Sequence, residues 1–391
     1  MAKVITTELQ HSGASGANIT LGSSKDVTFN GTVTGDNDTK SFRRLNINGD
    51  MTVAQRATSV NLTGNGGSQN AVRVTDRFYL QSRSDANWTY SQESDGPPGF
   101  AKSFKALCTA ADSSVAANVY EMFSYKWEGQ DLQQLKKGTS SAESITVSFW
   151  VKSNKTGTYI LEAHDLDNNR QISQSYTISS SATWEKKTIT FAGDTTGALD
   201  NDNAASFQLY WWVTAGSDKS SGTLNTSWGS ITQANRAAGQ VQLTDTTNNY
   251  WQITGIQVEV GTTATDFEHR SYGEELMRCY RYFQHHMAIE NEGYTMAVRF
   301  TTQAQGGIPY FNTFRANPTS TLKGINIHDM NDGANVDVTS HNMTIGGGAN
   351  TRRHGLIALI TSVADLHQGQ ACLAHGNSGD SPMGLWLDAE I

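Results

Sequence analysis

The run LYWWV at 209–213 holds the side chains best suited to ligand chemistry in this sequence. Sugars present apolar C–H faces that stack on aromatic rings, while Asn, Gln, Asp and Arg meet their hydroxyls. In an extended strand Tyr210 and Trp212 share one face, and Phe207, Leu209, Trp211 and Val213 take the other. The second set is the more aliphatic and is expected to be core. That leaves Tyr210 and Trp212 as a ligand-binding platform. Tyr125 and Trp127 in FSYKWEG share one parity and are expected to join them. The competing reading is that the second sheet or a neighbouring subunit covers these rings.

Acid–base chemistry finds less to work with. Glu121 and Glu128 flank MFSYKW, and Asp200 and Asp202 sit in LDNDN. A glycosidase needs two carboxyls about 5–9 Å apart, one with a raised pKa, and a polar rim explains each of these pairs. GNSGDSP at 376–382 contains Gly-Asp-Ser but lacks the strand-turn-helix setting of a nucleophile elbow, so a tip loop is expected. Asp165 and Asp167 in HDLDNN have calcium-loop spacing. The glycine is missing and Tyr176 stands where the distal glutamate belongs, so a β-turn is expected. His285 and His286 are adjacent rather than four apart, and no HExxH occurs. No catalytic residue, metal or cofactor is expected.

Composition narrows the class. Charged residues are 17% of the 391, with 36 glycines and 5 prolines, which favours many short strands joined by polar turns. A length of this order suits two or three domains. The net charge of −8 and a pI near 5.7 speak against nucleic acid as a partner. Cys108, Cys279 and Cys372 are odd in number and far apart, so neither a zinc ribbon nor a disulfide framework is expected. Cys279 should be a buried packing thiol. The opening MAKVITTELQHSGASG has no apolar run suited to a signal peptide, and folding in a reducing cytoplasm is expected.

These residues must be positioned by strands. SITVSFWVKS alternates Ile145, Val147, Phe149 and Val151 with polar partners, and TWEKKTITFAG, ASFQLYWWVTAG and YWQITGIQVEVG continue the pattern to Val260. Strands of this length without intervening helices argue an antiparallel β-sandwich. After GTTATDFEHRS the period becomes helical, with Leu276, Cys279, Tyr280 and Phe283 as an apolar stripe behind a Ser271–Glu274 capping box. Residues 285–391 return to short strands. Residues 1–40 are polar and cannot bury a core alone. They carry strand-forming Val27, Phe29 and Val33, which three-fold packing would satisfy.

The stretch YWQITGIQVEVGTTATDFEHRSYGEELMRCYRYFQ at 250–284 resembles the junction found in tail-fibre and receptor-binding proteins of tailed bacteriophages. RRLNINGDMTVAQRATS at 43–59, DRF at 76–78 and FRANPTSTL at 314–322 agree with it, with Leu45 and Phe78 departing from the usual letters. The resemblance covers about residues 42–391. It implies a mainly β protein: a virion-attachment segment at 1–41, a jelly roll like a carbohydrate-binding module at 42–271, and a smaller β-rich receptor-binding tip at 272–391. It further implies a homotrimer in the virion, assembled in the host cytoplasm. The N-terminal segment would hold a tail or baseplate protein, and a host glycan or outer-membrane receptor would be bound without catalysis. The alternative is a glycan-cleaving tailspike or a bacterial glycan-binding enzyme module. A rival receptor site is the set of tip loops at 329–335, 346–353 and 376–382.

Overall fold

The computed structural model describes residues 8–9, 19–21, 27–29, 43–64, 68–286, 293–330, 335–344, 354–361, 366–368, 370–376 and 383–391. The chain divides into two compact units, Met1–Arg43 and Arg44–Ile391. In the first, β1 (Glu8–Leu9), β2 (Ile19–Leu21) and β3 (Val27–Phe29) form an antiparallel sheet in that order. Val33 lies outside the described residues.

The second unit opens with thirteen sandwich strands. They are β4 (Ser59–Leu62), β5 (Asn70–Val72), β6 (Phe78–Arg83), β7 (Asn87–Glu93), β8 (Ser103–Ala110), β9 (Tyr120–Glu128) and β10 (Ile145–Ser153). The rest are β11 (Gly157–Asp165), β12 (Arg170–Ile178), β13 (Glu185–Phe191), β14 (Ala205–Ala215), β15 (Gly229–Ser230) and β16 (Tyr250–Val260). One sheet runs β13-β10-β16-β8-β7-β4 and the other β15-β12-β11-β14-β9-β6-β5, with antiparallel pairing throughout. The fold is an antiparallel β-sandwich of the jelly-roll class. Aromatic side chains fill the space between the sheets: Phe123 meets Trp251 at 5.7 Å, and Phe149 meets Trp211 at 5.9 Å. Ile145, Val147, Phe149 and Val151 all point into this core, as their alternation requires.

β16 is less regular than its sequence. Trp251 and Ile253 are core on one parity, Ile256 and Val258 on the other. A bulge opposite Ser148 and Trp150 makes the switch, at Gly255 with φ +61°. A Cβ there would lie 2.7 Å from the Phe100 ring, so only glycine fits both the backbone and the space.

A short α1 (Ser217–Ser220) follows β14, and after β16 comes α2 (Tyr272–Cys279), started by the expected capping box: Glu274 N donates to Ser271 Oγ at 3.3 Å, and Ser271 N to Glu274 Oε2 at 2.9 Å. Cys279 is buried, and burial pushes its thiol well up. Phe283, expected on the helical stripe, instead belongs to β17 (Phe283–His286), because the helix ends at Cys279. The buried partner of Cys279 on α2 is Glu275, which ion-pairs with Arg44 and accepts from Asn48 N at 2.6 Å. Beyond it lie β18 (Gly293–Phe300), β19 (Gln303–Pro309), β20 (Thr319–Lys323), β21 (Ile325–Asp329), β22 (Asn335–Thr344), β23 (His354–Thr361), β24 (Ala371–Gly376) and β25 (Gly384–Asp388). Six of them close into a barrel, β18-β19-β23-β22-β21-β24, while β17-β25-β20 make a small sheet. The division at 43/44 lies near the boundary expected at 41/42, whereas residues 271/272 fall inside the second compact unit.

One core residue carries a titration signature. Glu121 is fully buried, accepts from Ser82 Oγ at 2.6 Å and from Tyr90 of the opposite sheet at 3.1 Å, and has no cation beside it among the described residues. Burial pushes its carboxyl up to about 8, above an ordinary 4.5. Because the folded value is the higher one, its stabilising contribution is full below pH 4.5 and declines as pH rises to about 8. Glu121→Gln should therefore leave the thermal midpoint unchanged near pH 4 and raise it near pH 8. An equal shift at both pH values would contradict a protonated core acid.

Candidate functional site

All four expected ligand rings are buried. Tyr125 and Trp127 are 1% and 3% exposed, and they face Leu209 and Phe207 of β14. Residues paired across adjacent strands lie on one side of the sheet, so these two rings belong to the inter-sheet core. The expectation that they join Tyr210 and Trp212 is corrected: parity along β9 does not reveal its register on β14. Instead they hold backbone. Trp127 Nε1 donates to Leu45 O at 3.0 Å, and Tyr125 Oη accepts from Ile47 N at 2.9 Å.

Tyr210 and Trp212 do take the face opposite Phe207, Leu209, Trp211 and Val213, but it is not an open platform there. The segment between β14 and β16 crosses it, and Ala237 packs with Tyr210, Trp212, Met122 and Ile160. Trp212 Nε1 donates to Glu162 Oε2 at 2.9 Å. Arg236 Nε binds the same carboxylate at 2.9 Å and its guanidinium lies 5.2 Å from both ring centroids. Trp212 is a pillar under this segment.

Glu121 and Glu128 do not share one site. Glu121 and Glu128 lie seven residues apart on extended β9, about 23 Å along the strand, beyond the reach of a shared glycosidic bond. Glu128 is held by Arg281 at 2.8 and 2.6 Å and by Tyr282 Oη at 2.6 Å. Asp165 turns the β11–β12 hairpin, accepting from Asn168 N at 3.0 Å. Residues 331–334, 345–353 and 377–382, most of the rival tip loops and of GNSGDSP, lie outside the described residues.

The structure adds a cleft at the β12–β15 edge of the seven-stranded sheet, with a volume of about 340 Å³. β12 supplies Arg170 and the buried Ile172, the loop after β13 supplies Asp194 and Thr196, and the approach to β15 supplies Thr226 and Trp228. Pairing of Ser230 with Arg170 fixes that approach. Trp228 is half-buried: its Nε1 donates to Ala192 O at 2.7 Å, and Phe207 lies behind its ring at 6.2 Å. Arg170 grips Asp194 bidentately, at 2.8 and 3.0 Å. Burial would raise the Asp194 carboxyl, but hydrogen bonds from Arg170 and Lys137 outweigh it and hold it below its usual value. Below lies the buried Lys137 ammonium, which meets Asp165, Asp194 at 3.0 Å, Thr196 O at 3.0 Å and Gly197 O at 2.8 Å. A lysine thus fills a nest of four oxygen groups.

Sequence reading missed Trp228 because it stands alone in NTSWGSIT, outside any alternating run. An isolated tryptophan among Thr, Ser and Asn was the available signal.

No protein-family model and no curated protein matches the chain. Among solved structures, the chain is similar to an enzymatically active domain of tailspike protein 4 from bacteriophage CBA120, at 12% identity and a TM-score of 0.28, over 56% of this chain and 21% of that one. A xylan-binding domain of carbohydrate-binding module family 22 follows at 7% identity and 0.29, over 58% and 100%. A family 11 carbohydrate-binding module from Clostridium thermocellum, solved with a mixed-linked tetrasaccharide, gives 12% and 0.26, over 55% and 100%. This chain spans about a fifth of the tailspike domain's length. Likenesses this slight carry nothing about function, and the sandwich rests on its own strand pairing.

The burial of Trp212 has a measurable consequence. Trp212→Ala should lower stability by about 3–5 kcal/mol, as should Trp211→Ala on the other face. Urea unfolding of the two variants checks this, and a Trp212→Ala protein as stable as wild type would show the face to be open.

Proposed function

We propose that this chain is a non-catalytic receptor-binding fibre protein of a tailed phage, and that it holds a host-surface glycan in the cleft of Arg170, Asp194 and Trp228. The cleft itself carries the proposal. A half-buried indole offers a stacking wall, the Arg170–Asp194 pair offers fixed donors and acceptors, and the exposed hydroxyls of Thr195, Thr196, Thr226 and Ser227 line the rim. Its volume sits at the lower end for small-ligand sites of roughly 300–1,000 Å³. The phage reading draws on the resemblance at 250–284 and 43–59. On that reading the chain is a homotrimer, held to a tail or baseplate protein through residues 1–41 and assembled in the host cytoplasm.

Calorimetric titration with host surface polysaccharide tests the cleft. Trp228→Ala should weaken binding about tenfold or more, equivalent to about 1.4 kcal/mol. Since Trp228 also packs on the core, Thr226→Trp provides a second variant that fills the cleft from its exposed rim and should give the same loss. Unchanged affinity in both would overturn the proposal. Release of reducing ends during the titration would instead favour the glycan-cleaving tailspike.

A further inference from the structure

The outer face of the seven-stranded sheet, on the other side from the cleft, gathers cations on a chain whose net charge is −8. Arg83 shares the parity of Tyr79 on β6, and Lys126 shares the parity of Ser124, the partner of Tyr79 on β9. The Arg73 guanidinium lies 5.2 Å and the Lys126 ammonium 5.4 Å from the Tyr79 ring centroid. Further along the face Arg236 covers Tyr210, and Lys219 of α1 (Ser217–Ser220) lies within electrostatic reach of Arg236 and Arg83. Glu162 is a buried acid among them and already binds Arg236 and Trp212, while Glu390 and Asp388, which pair with Arg77 and Arg56, lie within electrostatic reach of Arg73. Among the described residues, Arg73, Arg83 and Lys126 have no carboxylate at ion-pair distance, and the Nε atoms of Arg73 and Arg83 are buried without a hydrogen-bond partner. Burial, then Arg73 and Arg315, lower the Lys126 ammonium, and Glu390 offsets this only in part. His164 stacks on Tyr210 and is lowered to about 4, first by burial and then by Arg236 and Lys126, so it adds no charge near neutral pH.

We infer that this face binds an acidic polysaccharide, with a carboxylate or sulfate between Arg73 and Lys126 and a further acidic group toward Arg83 and Lys219. Arg83 stands four residues from Tyr79 along β6, about 13 Å. The charge is therefore a track rather than a point, which suits a polymer with regularly spaced acids better than a free phosphate ion. The acidic remainder of the chain repels a stiff nucleic-acid duplex that would extend past this patch. This second site shares with the proposed function only the premise of a glycan ligand.

The test titrates the full-length protein with polygalacturonate and with the same polymer after carboxyl reduction. Wild type should bind the acidic form, with affinity falling as salt rises, and bind the reduced form at least about tenfold more weakly. The double variant Arg73→Gln/Lys126→Gln should lose about tenfold or more for the acidic form, with its thermal midpoint kept because both side chains are half-exposed. In Trp228→Ala the preference for the acidic over the reduced polymer should persist, which separates this site from the cleft, and loss of that preference would assign acid recognition to the cleft and overturn the inference. Equal binding of the reduced polymer, unchanged binding by the double variant, or equal binding of single-stranded DNA would each overturn the inference.

Discussion

The ion pair between Arg77 and Glu390 is the contact on which the second unit's organisation turns. Both side chains are buried, at 2% and 3% exposure. The Arg77 guanidinium lies 3.3 Å from the Tyr282 ring centroid and donates to Lys126 O at 2.9 Å. Beside it Arg56 pairs with Asp388 at 2.9 Å and stacks 3.7 Å from Phe283. Charges taken out of water are tolerated only when answered by opposite charge and hydrogen bonds. Burial would raise the Glu390 carboxyl, but Arg77 and Arg56 outweigh it and keep it ionised. The end of the chain is thereby set into the start of β6. Arg315 adds to the same joint, donating to Ala389 O at 2.7 Å and to Asn203 O at 2.6 Å.

From that joint the order spreads through backbone contacts. Tyr125 and Trp127 hold Ile47 and Leu45, and Asn46 bridges to β16 through Ile256 O and Val258 N. Asn48 then reaches Glu275 on α2. The segments 43–59 and 250–284, which carry the resemblance to tail fibres, are thus one connected polar knot. Proposed sites for ligands lie on a sheet whose strands this knot keeps in register.

Much of the sandwich was legible because its signals are local. Alternation in SITVSFWVKS and ASFQLYWWVTAG placed core faces correctly, and the Ser271–Glu274 box needs only residues three apart. What could not be read depended on distant partners. The placement of Tyr125 and Trp127 required the register of β9 on β14, and the covering of Trp212 required a segment that returns across the sheet. Glu128 was expected on a polar rim because Arg281, which holds it, is far away in sequence. Gly255 was visible as a glycine in a strand, yet the bulge that changes parity there depends on the register of β16 on β10. The Trp228 cleft joins three separated segments, so neither Arg170 nor Asp194 announced it.

Eight of the nine tryptophans lie in the sandwich, with Trp386 in β25 as the exception, so tryptophan fluorescence mainly reports unfolding of the sandwich. Glu390 follows β25. If the buried ion pair couples the two parts, Glu390→Gln should leave a single transition and move it to lower urea, by about 3–5 kcal/mol for a broken buried pair. A fluorescence midpoint equal to that of wild type would show that the sandwich stands without the C-terminal anchor and would contradict the role given to Arg77 and Glu390.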